Sequence, residues 1–175
     1  MKNVAWFFAF LTFAASISIA GATDETITKL SNEQMMQSAT ALPENGIVTS
    51  GQPSEAALRN IAAAGYSTVI DMRAADEDRG LDEQRIIDDL GMTYIAFPLA
   101  SKEDISFARA AELDELLSGI DGPVLVHCAS GNRVGAIFAL RAKNNGAESN
   151  DALAIGKSAG LTRLEGLVKQ RLEIK

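Results

Sequence analysis

The chain has 175 residues, of which 47% are hydrophobic, and its formal net charge at pH 7 is −7. An acidic chain of this kind is not expected to bind nucleic acid or an anionic membrane surface, because both carry negative charge. It contains one cysteine and one histidine. A single cysteine cannot form an intramolecular disulfide. One cysteine and one histidine also do not supply the spaced ligand pairs of a zinc site. We therefore expect neither a metal nor a cofactor.

The amino-terminal residues have the layout of a secretory signal peptide. Lys2 precedes an apolar stretch from Val4 to Ala20, and Ala20-Gly21-Ala22 follows as an Ala-x-Ala cleavage site. Cleavage after Ala22 would make the protein secreted or periplasmic and leave it without a stable membrane anchor. An uncleaved anchor is the alternative, although the apolar stretch is marginal for spanning a bilayer.

The chain that follows this segment has the size of one domain. Residues 23–46 are expected to form a short arm, with a capping box at Ser31-x-x-Gln34, that packs on a domain spanning residues 47–175. In that domain, strand patterns alternate with helical patterns. The predicted strands cover residues 47–49, 67–72, 92–97 and 123–126, and the predicted helices cover residues 54–64, 81–90, 105–117, 134–142, 150–158 and 162–174. This alternation predicts a single α/β domain with a mostly parallel sheet of four to five strands, flanked by helices.

A short polar segment between the last predicted strand and a buried helix carries the functional signal. It reads His127-Cys128-Ala129-Ser130-Gly131-Asn132-Arg133. At such a turn, unpaired backbone N–H groups and the positive end of the helix dipole favour a bound anion and a thiolate. Arg133 adds a planar guanidinium suited to bidentate contact with an oxyanion. We therefore expect Cys128 to be a nucleophile and Ala129, Ser130, Gly131 and Asn132 to form an oxyanion-binding loop. A buried structural cysteine is the alternative.

The segment resembles the active-site signature of the cysteine-dependent protein tyrosine phosphatase superfamily, which has His-Cys, five residues and then Arg. Here only four residues separate Cys128 from Arg133. A loop of this length also resembles the six-residue active-site loop of rhodanese sulfurtransferases. The resemblance implies an anion-binding loop but leaves phosphate and sulfur chemistry both open.

A second block of sequence makes the resemblance specific to one family within the superfamily. Residues 48–53 (Val-Thr-Ser-Gly-Gln-Pro), 58–65 and 68–73 (Thr-Val-Ile-Asp-Met-Arg) are similar to the bacterial phosphatase-like family that is also found joined to β-lactamase-like hydrolase domains. Members of that family carry short Cys-to-Arg loops. The resemblance covers about residues 45 to 145 and implies a dual-specificity-phosphatase-like fold.

The resemblance also implies roles for residues outside the loop. His127 is implied to help set the environment of the cysteine, and a hydrogen-bonded core residue is the alternative. A general acid is implied in the loop that follows the strand before the cysteine strand, which makes Asp104 the candidate and Glu103 the substitute. Asp104 could instead cap the helix expected to start at Ile105. Val134 stands where phosphatases of the superfamily usually carry Ser or Thr, whose hydroxyl assists departure of the thiolate. Its absence here favours sulfur chemistry or slow phosphatase turnover.

Asp71, Arg73 and Glu77 form a further polar group, next to the second predicted strand. We expect them to form an ion-pair network that supports the site, in preference to contacting a substrate directly.

The leading hypothesis is an exported hydrolase that uses Cys128 and Arg133 on phosphate monoesters, with phosphotyrosine or a phosphoprotein as possible substrates. One alternative is a sulfurtransferase that carries a Cys128 persulfide, with a small sulfane-sulfur compound as substrate. The other is an anion-binding module without catalytic turnover. The oligomeric state is not indicated by any pattern in the chain.

Overall fold

A computed structural model describes residues 26–37, 39, 42–43 and 46–175. Five parallel strands form one sheet in the order β1-β2-β5-β3-β4. Their bounds are Ile27–Lys29 for β1, Ile47–Ser50 for β2, Thr68–Asp71 for β3, Thr93–Ala96 for β4 and Val124–His127 for β5. The predicted α/β class and the predicted strand number are confirmed. The expected signal peptide, residues 1–22, lies outside the described residues.

Helices cover both faces of the sheet. They are α1 (Asn32–Gln37), α2 (Glu55–Ala63), α3 (Glu83–Asp89), α4 (Phe107–Ser118), α5 (Asn132–Asn144), α6 (Ser149–Ala159) and α7 (Glu165–Arg171). Because successive strand side chains point to opposite faces, the sheet divides the core in two. One cluster joins the sheet to α4, α5, α6 and α7 and contains Ile47, Ile70, Val124 and Val126. The other joins it to α1, α2 and α3 and contains Val48, Val69 and Leu125.

The register of the three central strands assembles the site. Every residue of β2, β3 and β5 is buried, as expected for strands covered on both faces. In this register, Ser50 and Asp71 both lie beside His127. Parallel strands end at the same edge of a sheet, so the three polar side chains meet where the Cys128 segment begins.

The amino-terminal arm is part of the sheet. The backbone N–H of Ser31 donates to Gln34 Oε1 at 2.8 Å, and the N–H of Gln34 donates to Ser31 Oγ at 3.2 Å, which confirms the predicted capping box. Residues Ile27–Lys29 form an edge strand beside β2. The sequence pattern did not predict this strand, because three residues are too few to show a period of two.

Helices α3, α4, α5 and α7 start two or three residues away from the predicted positions, and the starts of α4 and α5 bear on the site. Helix α4 begins at Phe107, and Ser106, whose side chain accepts the N–H of Arg109, is its N-cap. The expected start at Ile105 is therefore wrong, and so is the alternative in which Asp104 caps this helix. Helix α5 begins at Asn132, two residues before the predicted start, with Gly131 as its N-cap. Arg133 thus belongs to the first turn of α5. Among the described residues, no helix combines the length and apolar character needed to cross a membrane.

Candidate active site

Cys128 follows directly from β5 and is 1% exposed. Its backbone N–H donates to Ser50 O at 3.4 Å, which holds the start of the loop against the end of β2. The guanidinium of Arg133 lies near enough to the Cys128 side chain for their charges to interact: the hydrogen bond to Glu77 is the main cause that raises the pKa of Arg133, burial opposes it, and the charge of the Cys128 side chain adds to it. The structure therefore brings the two ends of the sequence signature together.

The backbone of the loop is held by the segment after β2. Gly51 and Ser130 form a bridge, and the N–H of Gln52 donates to Ala129 O at 3.2 Å. The Ala129 carbonyl is therefore occupied outside the loop. Gly131 has φ 80°, a left-handed conformation that a residue with a Cβ rarely adopts. This left-handed turn at Gly131 lets α5 begin at the next residue, Asn132.

Asn132 anchors the loop through its side chain. Its Oδ1 accepts the backbone N–H of Thr162 at 2.9 Å, the Thr162 hydroxyl at 3.1 Å and the N–H of Leu164 at 3.2 Å. The side-chain oxygen of this predicted loop residue is thus directed towards the segment between α6 and α7. The Oδ1 atom of Asn132 therefore anchors the first turn of α5.

Three glycines allow α6 to pack directly beneath the loop. A Cβ at Gly135 would lie 1.9 Å from Leu161 N, and one at Gly156 would lie 2.6 Å from Ala139 Cβ. A Cβ at Gly160 would lie 2.8 Å from the carbonyl oxygen of Gly131. Sequence analysis missed this contact, although the glycines were a visible signal. Close backbone packing of this kind fixes the base of the loop rigidly.

Arg133 is held by the carboxylate of Glu77. Arg133 Nη1 lies 2.5 Å from Glu77 Oε1, and Nη2 lies 2.7 Å from Oε2. Nη1 also contacts Leu99 O at 3.2 Å and Met72 O at 3.5 Å. The hydrogen bonds from Arg133 lower the pKa of Glu77 to about 2, so Glu77 is a carboxylate at neutral pH.

Arg73 connects this pair to the end of β2. Its Nε lies 3.3 Å from Glu77 Oε2, and Nη1 donates to Gln52 Oε1. The ion pair between Arg73 and Glu77 in the expected network is present, but Asp71 pairs its charge with a different residue. Asp71 accepts the backbone N–H of Arg73 at 2.8 Å and pairs its charge with Arg79 at 2.7 Å. Sequence analysis did not place Arg79 in the network or connect Glu77 to Arg133.

The general-acid candidate Asp104 is bound within its own loop. Its Oδ2 accepts the N–H of Ser101 at 2.8 Å and the Ser101 hydroxyl at 3.0 Å. The bond from the Ser101 backbone lowers the pKa of Asp104. A carboxylate stabilised in this way is a poor proton donor until the loop moves. The assignment of Asp104 as the acid stays a prediction, and Glu103 is exposed.

A buried polar cluster lies beneath the loop. Asp71, Glu83 and His127 are buried, and each offers an atom within 4.8 Å of the others, which is the one arrangement among the described residues that could hold a metal ion. Sequence spacing could not show it, because the three residues come from separate elements. The guanidinium of Arg79 lies 2.7 Å from Asp71 and 3.7 Å from Glu83. A cation therefore already neutralises part of this cluster, which disfavours a metal.

A pocket of about 350 Å³ opens beside the site, between the β3–α3 connection and β4. Its lining includes Arg73, Arg79, Asp82, Glu83 and Tyr94. None of the loop residues 128–133 lines it. The pocket thus carries both signs of charge and lies outside the mouth of the Cys128 loop.

Comparison with known proteins places this geometry in context. Residues 23–164 match a family model described as a DSP-PTPase phosphatase fused to NAD+ kinase. Two relatives, both β-lactamase hydrolase-like proteins of Xylella fastidiosa, are 30% identical over 119 residues, which is 65% of this chain and 27% of theirs. The chain thus spans about a quarter of the length of these relatives.

Solved structures share the fold. A candidate phosphatase of Neisseria meningitidis Z2491 superposes with a TM-score of 0.61 at 20% identity, over 74% of this chain and 94% of its own. The catalytic core of Siw14 gives 0.58 at 13% identity, over 76% and 82%. Kinase-associated phosphatase, studied with its catalytic-site cysteine changed to serine, gives 0.55 at 13% identity, over 74% and 88%. At these identities the likeness shows a dual-specificity-phosphatase-like fold.

Proposed function

This chain belongs to the family described as DSP-PTPase phosphatase fused to NAD+ kinase, and from this we propose that it hydrolyses phosphate monoesters with Cys128 as the nucleophile and Arg133 as the principal anion ligand. The proposal concerns the described domain alone. Activities of longer relatives are not assigned to it.

The observation that carries the proposal is the hydrogen-bond inventory of Arg133. A guanidinium has five N–H groups. One N–H on Nη1 and one on Nη2 go to Glu77, and the second on Nη1 is directed at the carbonyls of Leu99 and Met72. Apart from the nearby Cys128 side chain, no described residue accepts the N–H on Nε or the second N–H on Nη2, and these two groups form one edge of the guanidinium. Such an edge binds two oxygens of a phosphate at once.

The proposed reaction has two steps. The Cys128 thiolate attacks phosphorus, the P–O bond to the leaving group breaks, and phosphocysteine forms. Water then attacks phosphorus, the P–S bond breaks, and inorganic phosphate leaves with the thiolate restored. Loop amides and Arg133 hold the phosphoryl oxygens in both steps. Asp104 would supply the leaving-group proton after releasing Ser101. Val134 offers no hydroxyl to the departing thiolate, so we expect the second step to limit turnover.

The direct test is trapping of the intermediate. We expect a mass increase of about 80 Da on Cys128 after brief exposure to an aryl phosphate, because slow hydrolysis should let phosphocysteine accumulate. Cys128→Ser is the control and should abolish the thiol adduct without unfolding the protein. Absence of both product and adduct in the wild type, with intact vanadate binding, would contradict hydrolysis and leave an anion-binding module.

Sulfur transfer is the second candidate, and loop length favours it. Four residues between Cys128 and Arg133 give a smaller cradle than the five of the phosphatase signature. The Cys128 thiolate would then attack the sulfane sulfur of thiosulfate, the S–S bond of thiosulfate would break with release of sulfite, and the resulting persulfide would add about 32 Da. The same intact-mass experiment separates the candidates, since the two adducts differ by more than 40 Da.

Export is a separate proposal. The signal-like pattern of residues 1–22 supports cleavage after Ala22 and a secreted or periplasmic protein. Amino-terminal sequencing of the protein recovered from its native host tests this, with Thr23 expected as the first residue. Recovery of the protein with Met1 in the membrane fraction would contradict it.

A further inference from the structure

His127 is the chain's one histidine and lies beneath the proposed nucleophile. The side chain has no exposed surface, and its Nε2 lies 3.0 Å from Glu83 Oε1 and 3.9 Å from Asp71 Oδ1. The backbone is fixed from β3, since the N–H of Met72 donates to His127 O at 2.9 Å. The orientation of the ring therefore depends on the two carboxylates that face it.

Asp71 already accepts three hydrogen bonds. Its Oδ1 accepts the N–H of Arg73 at 2.8 Å, and its Oδ2 accepts Arg79 Nε at 2.7 Å and the Tyr94 hydroxyl at 2.9 Å. Burial and the hydrogen bond to Asp71 raise the pKa of Tyr94 to about 12, so this phenol stays a donor. Asp71 has little remaining capacity for the imidazole.

Glu83 has the opposite character. Its side chain is fully buried, and neither carboxylate oxygen has a hydrogen-bond partner in the described geometry. Both ring nitrogens of His127 are also without one. A buried carboxylate and a buried imidazole are each costly to leave unpaired. At 3.0 Å, a small reorientation of either side chain aligns Nε2–H with Oε1 and gives each residue one hydrogen-bond partner.

We propose that Glu83 accepts the Nε2–H of His127 and is thereby a positioning residue for the Cys128 loop. Glu83 is fixed in the first turn of α3, and its neighbour Asp82 caps that helix. Fixing Nε2 as the donor sets the tautomer and the plane of the ring. His127 directly precedes Cys128, so a fixed ring supports the start of the loop. The hydrogen bond between His127 and Glu83 does not depend on any activity of the protein. Its effect on catalysis rests on the proposed phosphatase function.

The contact can be tested without an activity assay. A chain with one histidine gives a single set of imidazole nitrogen and proton signals. We expect wild-type protein to show a protonated Nε2 whose proton is shifted downfield and protected from solvent exchange. Glu83→Met, which removes the acceptor and keeps the volume, should lose that signal. Glu83→Gln should keep it, because the amide oxygen can still accept. Asp82→Asn, on the exposed cap of the same helix, is the matched control and should leave it unchanged.

Two spectral outcomes would overturn the contact. The first is a wild-type imidazole with Nε2 unprotonated. The second is a stoichiometric divalent metal in the purified protein whose removal by chelator shifts the imidazole signals, because Nε2 would then be a ligand. Both are read from wild-type protein, so they stand even if Glu83→Met does not fold.

The positioning role is tested by kinetics on an aryl phosphate. We expect Glu83→Met to lower kcat at least about tenfold with little change in KM, and Glu83→Gln to restore most of kcat, as for loss and retention of one hydrogen bond to a charged group. An unchanged kcat in a Glu83→Met protein that has lost the Nε2–H signal would overturn the role. If wild-type protein shows no hydrolysis, the proposed function fails, while the spectra still decide the contact.

Discussion

Replacing Glu77 with Gln should weaken both the fold and anion binding, and the two effects can be measured separately. Glu77 receives two hydrogen bonds from Arg133, one from Arg73 and one from the backbone N–H of Ala74 at 2.8 Å. Gln keeps the shape of the side chain but is neutral and has only one acceptor oxygen. Arg133 would lose one of its two hydrogen bonds to residue 77, and its guanidinium would no longer be held in one orientation.

The magnitude follows from the pKa of Glu77. Arg133 is the main cause of its decrease from 4.5 to about 2, and a shift of that size corresponds to about 3 kcal/mol. The two side chains are 27% and 20% exposed, so solvent screening reduces the expected loss of unfolding free energy to about 1–2 kcal/mol. Because the folded-state pKa lies below the unfolded one, this stabilisation is complete above about pH 4.5 and is lost as the pH falls towards 2.

Urea unfolding at several pH values measures the effect. The difference between wild type and Glu77→Gln should be constant from pH 7 to 5 and should shrink steadily below pH 4.5. Glu115→Gln, at an exposed position on α4, is the matched control and should show no difference at any pH. A difference between wild type and Glu77→Gln that persists unchanged at pH 3 would refute the ion-pair reasoning, because the carboxylate of the unfolded chain is then protonated.

Further predictions concern the loop and its supports. Arg133→Lys should lower vanadate affinity by at least about tenfold in calorimetry, because an ammonium cannot reproduce the two-point edge; equal affinities would show that Arg133 does not bind the anion. Asn132→Ala should cost about 2–3 kcal/mol in urea unfolding, since three donors lose their buried acceptor; a neutral change would mean that water replaces it. Gly160→Ala should lower the free energy of unfolding by about 1–3 kcal/mol and slow turnover, because the alanine Cβ would clash with the carbonyl oxygen of Gly131; a variant as stable as wild type would contradict the close packing. Asp104→Asn should slow esters with poor leaving groups far more than those with good ones; equal effects would remove Asp104 as the acid.

Local sequence patterns predict much of the fold. The strand and helix order from residue 47 onwards follows from hydrophobic periodicity and from cap residues such as Ser54, whose side chain accepts the N–H of Ala57. The Cys128–Arg133 segment is equally local, because one strand end, one glycine and one helix start suffice to define it. The errors were the missed strand β1 and several helix boundaries. Asp104 and Ser106 are both good N-caps by type, and nothing local showed that Asp104 would bind Ser101 instead.

The partners of the site residues were decided by the tertiary structure. Glu77 meets Arg133 across 56 positions, and Asn132 meets Thr162 across 30. Such contacts depend on strand order, and β5 lies between β2 and β3 although it is the last strand in the chain. That insertion places His127 beside Asp71 and carries Cys128 to the centre of the edge where the loops meet. The sequence by itself therefore determined which residues are the candidates for the chemistry, because the candidate nucleophile Cys128 and the guanidinium of Arg133 lie in one short segment. Only the folded chain determined what holds them, because burial and charge pairing arise between segments that periodicity cannot connect.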